Sequence, residues 1–217
     1  MKYVVVDLEM CKVPRALRCA EYHYGSETIQ IGAVLLDDDY EIVSKFNTYV
    51  HPQYGQIDHF INKLTGINKQ DITDVPEFGE ALKMFLDWLP EDAVCVSWSE
   101  SDEKHIRHET EAKGITDERL PGILDSWIDC QKTFGKRMGA SKPYSLAEAL
   151  IAADVFQEGN AHDGLTDACN TAVLFAKMMK NPEFDLHPAY KAAHEGTSQP
   201  LTVNIGELLG NITLKND

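Results

Sequence analysis

The chain has 217 residues, enough for one domain with a sizeable core and room for a small appendage. It is 43% hydrophobic and 25% charged, as globular proteins are, and no stretch approaches the ~18 uncharged apolar residues of a membrane span. Thirty-five acidic residues against twenty basic ones leave a net charge of −15. That argues against a protein that coats nucleic acid by displacing phosphate counterions, though not against an enzyme that grips only a strand end through bound metal ions. The five cysteines are odd in number and scattered without a C-x-x-C pair, which points to reduced thiols in a cytoplasmic setting.

In chain order, KYVVVDL (2–8) reads as a buried strand, since it is β-branched and compact. A polar stretch follows from Lys12 to Gly25, and then TIQIGAVLLD (28–37) and EIVSKFNTYV (41–50), which read as a hairpin across an acidic turn. Short helical pieces come next, with LTGI as a loop. In PEFGEALKMFLDWL the residues Phe78, Leu82, Phe85, Leu86 and Leu89 recur on one helical face, and Pro90 stops the helix. AVCVSW (93–98) reads as a fourth strand and SDEKHIRHETEAKG as a polar helix closed by Gly114. ILDSWIDC reads as a fifth strand, followed by helices in QKTFGKRM, SLAEALIAA and DGLTDACNTAVLFAKMMK. Beyond Asn181 the composition shifts to His, Pro, Gly and Ser with a late apolar patch, LTVNIGELLGNITL. This gives a domain over 1–180 and an extension over 181–217 that could pack back or pair with a second copy.

Three acidic signals stand out. Asp7 and Glu9 are two apart on a strand, so both carboxylates point to one face, where they repel unless a divalent cation lies between them. Asp102 opens a helix, and His162 precedes Asp167, in the first turn of the last long helix, by five residues. Each has an ordinary reading: solvated acids at a strand end, an N-cap, an acid favoured by a helix dipole, a loop histidine.

As an ordered set, D-x-E at a strand end, an Asp opening a helix 95 residues later and H-x4-D 60 residues further on resemble the DEDDh 3′→5′ exonuclease family. ETIQIGAV, INKLTGI, DSWIDCQKTF and YSLAEAL also look like segments of its histone-mRNA and RNA-interference branch and the bacterial relatives of that branch, and the likeness spans residues 1–180. The resemblance implies an α/β ribonuclease H-like exonuclease fold with a central mixed five-stranded sheet flanked by helices. It implies two divalent ions, Mg²⁺ or Mn²⁺, held by Asp7, Glu9, Asp102 and Asp167, with His162 as general base. Met10 and Cys11 would meet the terminal sugar, and Phe60 and Leu64 would supply a stacking ring and a wedge. Substrates would be 3′ ends of single-stranded or short RNA or DNA, released as nucleoside 5′-monophosphates with no membrane involved.

Two departures qualify this expectation. Ser101 stands where the branch often has a base-stacking Trp, while Trp98 reads as packed inside. The polar stretch after Glu9 places Lys12, Arg15 and Arg18 at the border of the cleft, as phosphate contacts. His105 and His108 read as solvated surface rather than a metal pair. Two rival readings remain: a catalytically weak end-binding or regulatory protein on the same fold, and a glycosidase. Asp7 and Glu9, on one strand face, could not flank a sugar from opposite sides as a glycosidase requires.

Overall fold

The computed structural model describes residues 2–195. The run from Tyr3 to Val6 is β-branched and apolar on both faces, as a strand buried between two helical layers must be. It forms the first half of β1 (Lys2–Lys12), which pairs antiparallel with β2 (Ser26–Leu36), itself antiparallel to β3 (Ile42–Tyr49). On its other side β1 takes β4 (Ala93–Ser97) in parallel, and β4 takes β5 (Ile128–Asp129). The sheet is therefore mixed and five-stranded, in the order β3-β2-β1-β4-β5.

The helices are α1 (His59–Thr65), α2 (Phe78–Trp88), α3 (Ser101–Ala112), α4 (Leu120–Asp125), α5 (Cys130–Arg137), α6 (Leu146–Ala152), α7 (Gly164–Lys180) and α8 (Pro188–Glu195). One sheet face sends Val4, Val6, Ile31 and Ala33 into a core with Phe78, Leu82, Phe85 and Leu86 of α2. The opposite face sends Val5, Val34 and Val96 against Ala172, Phe175 and Met178 of α7. The alternation of Val4, Val5 and Val6 between the two cores is the period of two along an extended strand. Among the described residues no helix is long and apolar enough to cross a membrane.

Four expectations change. The fifth strand shrinks to Ile128 and Asp129, because Pro121 sits in the first turn of α4 and residues 120–125 coil instead of extending. LTGI is no free loop: α1 runs through Thr65, and Gly66, at φ 77°, closes it with its N–H on the Asn62 carbonyl. Leu89 lies past the end of α2, where it caps the helix. His105 is buried on the inner face of α3, its Nε2 3.1 Å from Glu109, and His108 stacks on Tyr24 with ring centroids 4.7 Å apart. Past α7, Phe184 packs into the second core and His187 donates its N–H to the Ala152 carbonyl at 2.8 Å. The apolar patch LTVNIGELLGNITL lies outside the described residues.

Candidate active site

β1 and β4 run parallel, so their carboxyl ends share one edge, the usual place for a site in an α/β sheet. The last pair between them is Val5 with Val96, and β1 then continues alone, paired only to β2. Asp7 and Glu9 fall on that continuation, facing the space that β4 has vacated. β4 turns there into α3, whose first turn carries Asp102, and an Asp102 carboxylate oxygen accepts the Leu8 N–H at 3.1 Å. From the far side α7 delivers Asp167 in its own first turn, and the loop before it delivers His162.

All five residues line one cleft of about 520 Å³, along with Met10, Leu64, Trp98 and Ser101. Ligand atoms of Glu9, His162 and Asp167 lie within 4.8 Å of one another. Glu9, Asp102 and Asp167 are buried and His162 is exposed. His162 has φ 64°, a left-handed conformation that disfavours side chains, and its N–H is held by an Asp167 carboxylate oxygen at 2.7 Å.

The electrostatics are lopsided: among the described residues, no Lys or Arg lines this cleft. Burial pushes Glu9 up to about 8, and the charges of Asp167, Asp102 and Asp163 push the same way. Asp7 rises well above the ordinary carboxylate range, first by burial and then by Asp102, Glu9, Asp167 and Asp163. Burial lifts Asp102 to about 6 against the pull of the Leu8 amide, and lifts Asp167 against the pull of the His162 amide. So much acid in one place without a cation resists full ionisation unless divalent ions share the oxygens, and hard oxygen donors beside one imidazole suit Mg²⁺ or Mn²⁺. The donor set fits such ions.

Three residues that place the site were not singled out in the sequence. Gln30 accepts the Gly164 N–H on its Oε1 at 3.0 Å and donates from Nε2 to Asp163 at 3.3 Å, pinning the start of α7 to β2. Asp163 caps α7 by accepting the Thr166 N–H at 2.9 Å and adds a further negative charge beside the cleft. Gly32 lets the two elements touch, because a Cβ there would sit 2.2 Å from the Gly164 backbone. The available signal was the spacing of Gln30 and Gly32, i and i+2 on one strand face within ETIQIGAV.

On the substrate side the four expected residues divide. Met10 and Leu64 line the cleft, and Phe60 lies one turn earlier on α1, 57% exposed. Core packing does not account for Phe60 or Leu64. The side chain of Cys11 is buried instead, in a small core with Ile29, Ile57 and Ile61, so only its backbone can face a ligand. Trp98 is buried as expected, and Ser101 is exposed at the rim. Behind this wall, fully buried Glu27 accepts the N–H groups of Gln53, Tyr54 and Gly55 and pairs with Lys113, which also pairs with Glu109. That network fixes the turn leading into α1.

The sequence profile of the exonuclease family, RNase T, matches residues 4–175. The chain is 32% identical over 182 residues to ERI1 exoribonuclease 2 of Xenopus laevis, covering 72% of this chain and 26% of that protein. It thus spans about a quarter of the length of that relative. It is also 32% identical over 156 residues to DNA polymerase III subunit epsilon of Aquifex aeolicus, covering 71% of this chain and 73% of that one. The nuclease domain of 3′hExo, a DEDDh family member solved with rAMP, superposes with a TM-score of 0.71 at 22% identity, covering 86% of this chain and 96% of that domain. With a match spanning both walls of the cleft and the acidic residues on them, the chain belongs to the exonuclease family.

Proposed function

We propose that this chain removes nucleotides one at a time from the 3′ end of single-stranded or short RNA or DNA and releases nucleoside 5′-monophosphates. The observation that carries the reading is the convergence of Asp7, Glu9, Asp102, Asp167 and His162, from three elements and a loop, into one cleft that, among the described residues, no Lys or Arg lines. Exonucleases of the DEDDh type use divalent metal ions. Asp7, Glu9, Asp102 and Asp167 would hold two of them, with the catalytic unit spanning residues 1–180. When bound there, such ions would supply a water of lowered pKa and positive charge against the phosphoryl group and the leaving oxygen.

The chain's own groups do the rest. His162, exposed at the mouth and within reach of Glu9 and Asp167, takes the proton of the attacking water on its ring nitrogen. The Asp167 oxygen that holds the His162 N–H fixes where that ring stands. Asp102, tied to the Leu8 amide, keeps α3 and β1 in register so that the carboxylates face one another. Met10 and Leu64 form the apolar floor for the terminal nucleotide, and Phe60 offers a ring face to the next base.

Chromatography of the products formed from RNA and DNA octamers in Mn²⁺, beside an EDTA control, tests the reading. Mononucleotides carrying a 5′-phosphate, formed only with metal, are expected, and the faster octamer identifies the preferred sugar. Nucleoside 3′-monophosphates would exclude the assigned bond cleavage, and metal-dependent binding without product would favour an end-binding protein.

A further inference from the structure

Beside the acidic cleft lies a second groove of about 540 Å³, lined by Lys12, Arg15, Arg18, Gly25, Gln56 and Asp58 among others. It continues the first. Met10, on the floor of the cleft, and Lys12 are two apart on β1 and share a strand face, a step of roughly 6–7 Å. Leu64 and Phe60 are four apart on α1 and share a helix face. Lys12 Nζ stands 4.8 Å over the Phe60 ring, joining the two walls where one groove passes into the other. Past that point, a short 3-10 turn (Arg15–Leu17) presents Arg15, and Arg18 leans over Gly25 with its Nε on the Val13 carbonyl at 3.2 Å.

The groove gathers three basic residues. In a chain of net charge −15, Lys83, Lys104, Arg107, Lys113, Arg119, Lys132, Lys180 and Lys191 are each paired with a carboxylate. Among the described residues Lys12, Arg15 and Arg18 have no such ion pair; Lys45, Lys63 and Lys69 have none either, so what sets these three apart is that all of them line one groove. The acid in the groove, Asp58, accepts the Ile61 N–H at 2.8 Å as the cap of α1. Three cations side by side repel one another, and a polyanion running past them removes that cost.

We infer that this groove binds the backbone phosphates of the strand upstream of the 3′ end, so that the chain selects substrates several nucleotides long over dinucleotides. The inference rests on the exonuclease reading of the cleft, because it takes the direction of the strand from that site. Lys12 meets the phosphate behind the base stacked on Phe60, and Arg15 and Arg18 meet those further back. With so few contacts the salt dependence of binding stays shallow, near −2 in log K against log salt for three single-strand contacts at about −0.7 each.

The test is a length series of 5′-labelled DNA from two to ten nucleotides, with the wild type, Arg15→Ala/Arg18→Ala and the charge reversal Arg15→Glu. Turnover is measured in Mn²⁺, and binding is measured with Asp7→Ala as the background. For the decamer the double variant should raise KM and Kd at least tenfold more than for the dinucleotide, and should flatten the salt slope by more than one. Arg15→Glu, on an exposed turn, should weaken decamer binding further. An equal effect at every length, or an unchanged salt slope, would overturn the groove while leaving the cleft intact. Absence of turnover in the wild type would count against the exonuclease reading, and the binding arm would still decide whether the groove holds the strand.

Discussion

Asp167 illustrates how much one carboxylate carries. One oxygen holds the His162 N–H at 2.7 Å and so keeps that residue in a left-handed conformation, and the group also stands within ligand distance of Glu9 and the imidazole. If the imidazole takes the proton of the attacking water, His162→Ala should lower kcat by roughly 10²- to 10⁴-fold. Kd for a short oligomer, measured by anisotropy, should change only a few-fold, because the carboxylates proposed to hold the metals remain. A comparable loss in Kd and kcat would instead make His162 a binding residue. At this scale the acids were legible in the sequence because strand and helix periods say where each points. The burial of Cys11 and His105 was not, because it depends on what packs across from them: Ile57 and Ile61 in the first case, the strand β1 that α3 packs on in the second. Gln30 and Asp163 escaped notice because their work is hydrogen bonding between elements distant in sequence.

Among the elements, the contact of β2 with the start of α7 sets the distance from Asp7 to Asp167. Gly32 and Gly164 allow it: a Cβ on Gly164 would meet the Asp7 carbonyl at 3.1 Å, and one on Gly32 would clash outright with the α7 backbone. Gly32→Ala should therefore push the helix off the strand, costing about 1–3 kcal/mol of stability by overpacking. Activity should fall by more than that stability loss explains, which denaturant midpoints and kcat from one preparation would show. An active Gly32→Ala enzyme with unchanged midpoint would mean the contact does not position the site. The meander, α2, α3 and α7 follow from apolar periodicity and helix punctuation in the sequence. The fifth strand did not, since ILDSWIDC is apolar enough for either state and Pro121 decides the first half for a helix. The late patch at 201–214 lies outside the described residues.

For the whole molecule, the cleft is a store of unfavourable charge that metal relieves. Burial, joined by the charges of Asp167, Asp102 and Asp163, raises Glu9 from 4.5 to about 8, and burial raises Asp102 from 3.8 to about 6. An acid whose folded pKa is raised binds more protons folded than unfolded, so its stabilising effect is complete below its ordinary pKa and is lost as pH rises through the folded value. The Tm of the metal-free protein should accordingly fall between pH 5 and pH 8, a window set by these two carboxyls. Millimolar Mn²⁺ should raise Tm more at the upper end than at the lower, since its ligands must be deprotonated. Asp7→Asn removes one of the repelling charges, and should flatten the metal-free profile and blunt the response to Mn²⁺. A metal-free Tm that rises across this window would show that the carboxylates are not crowded as described.

The most direct test follows a 5′-labelled single strand on a sequencing gel, with the wild type in Mn²⁺, the wild type in EDTA, and Asp7→Ala in Mn²⁺. The site predicts a ladder shortening one nucleotide at a time from the 3′ end in the first reaction and intact strand in the other two. A ladder that persists in EDTA or in Asp7→Ala, or internal cuts without stepwise shortening, would contradict it.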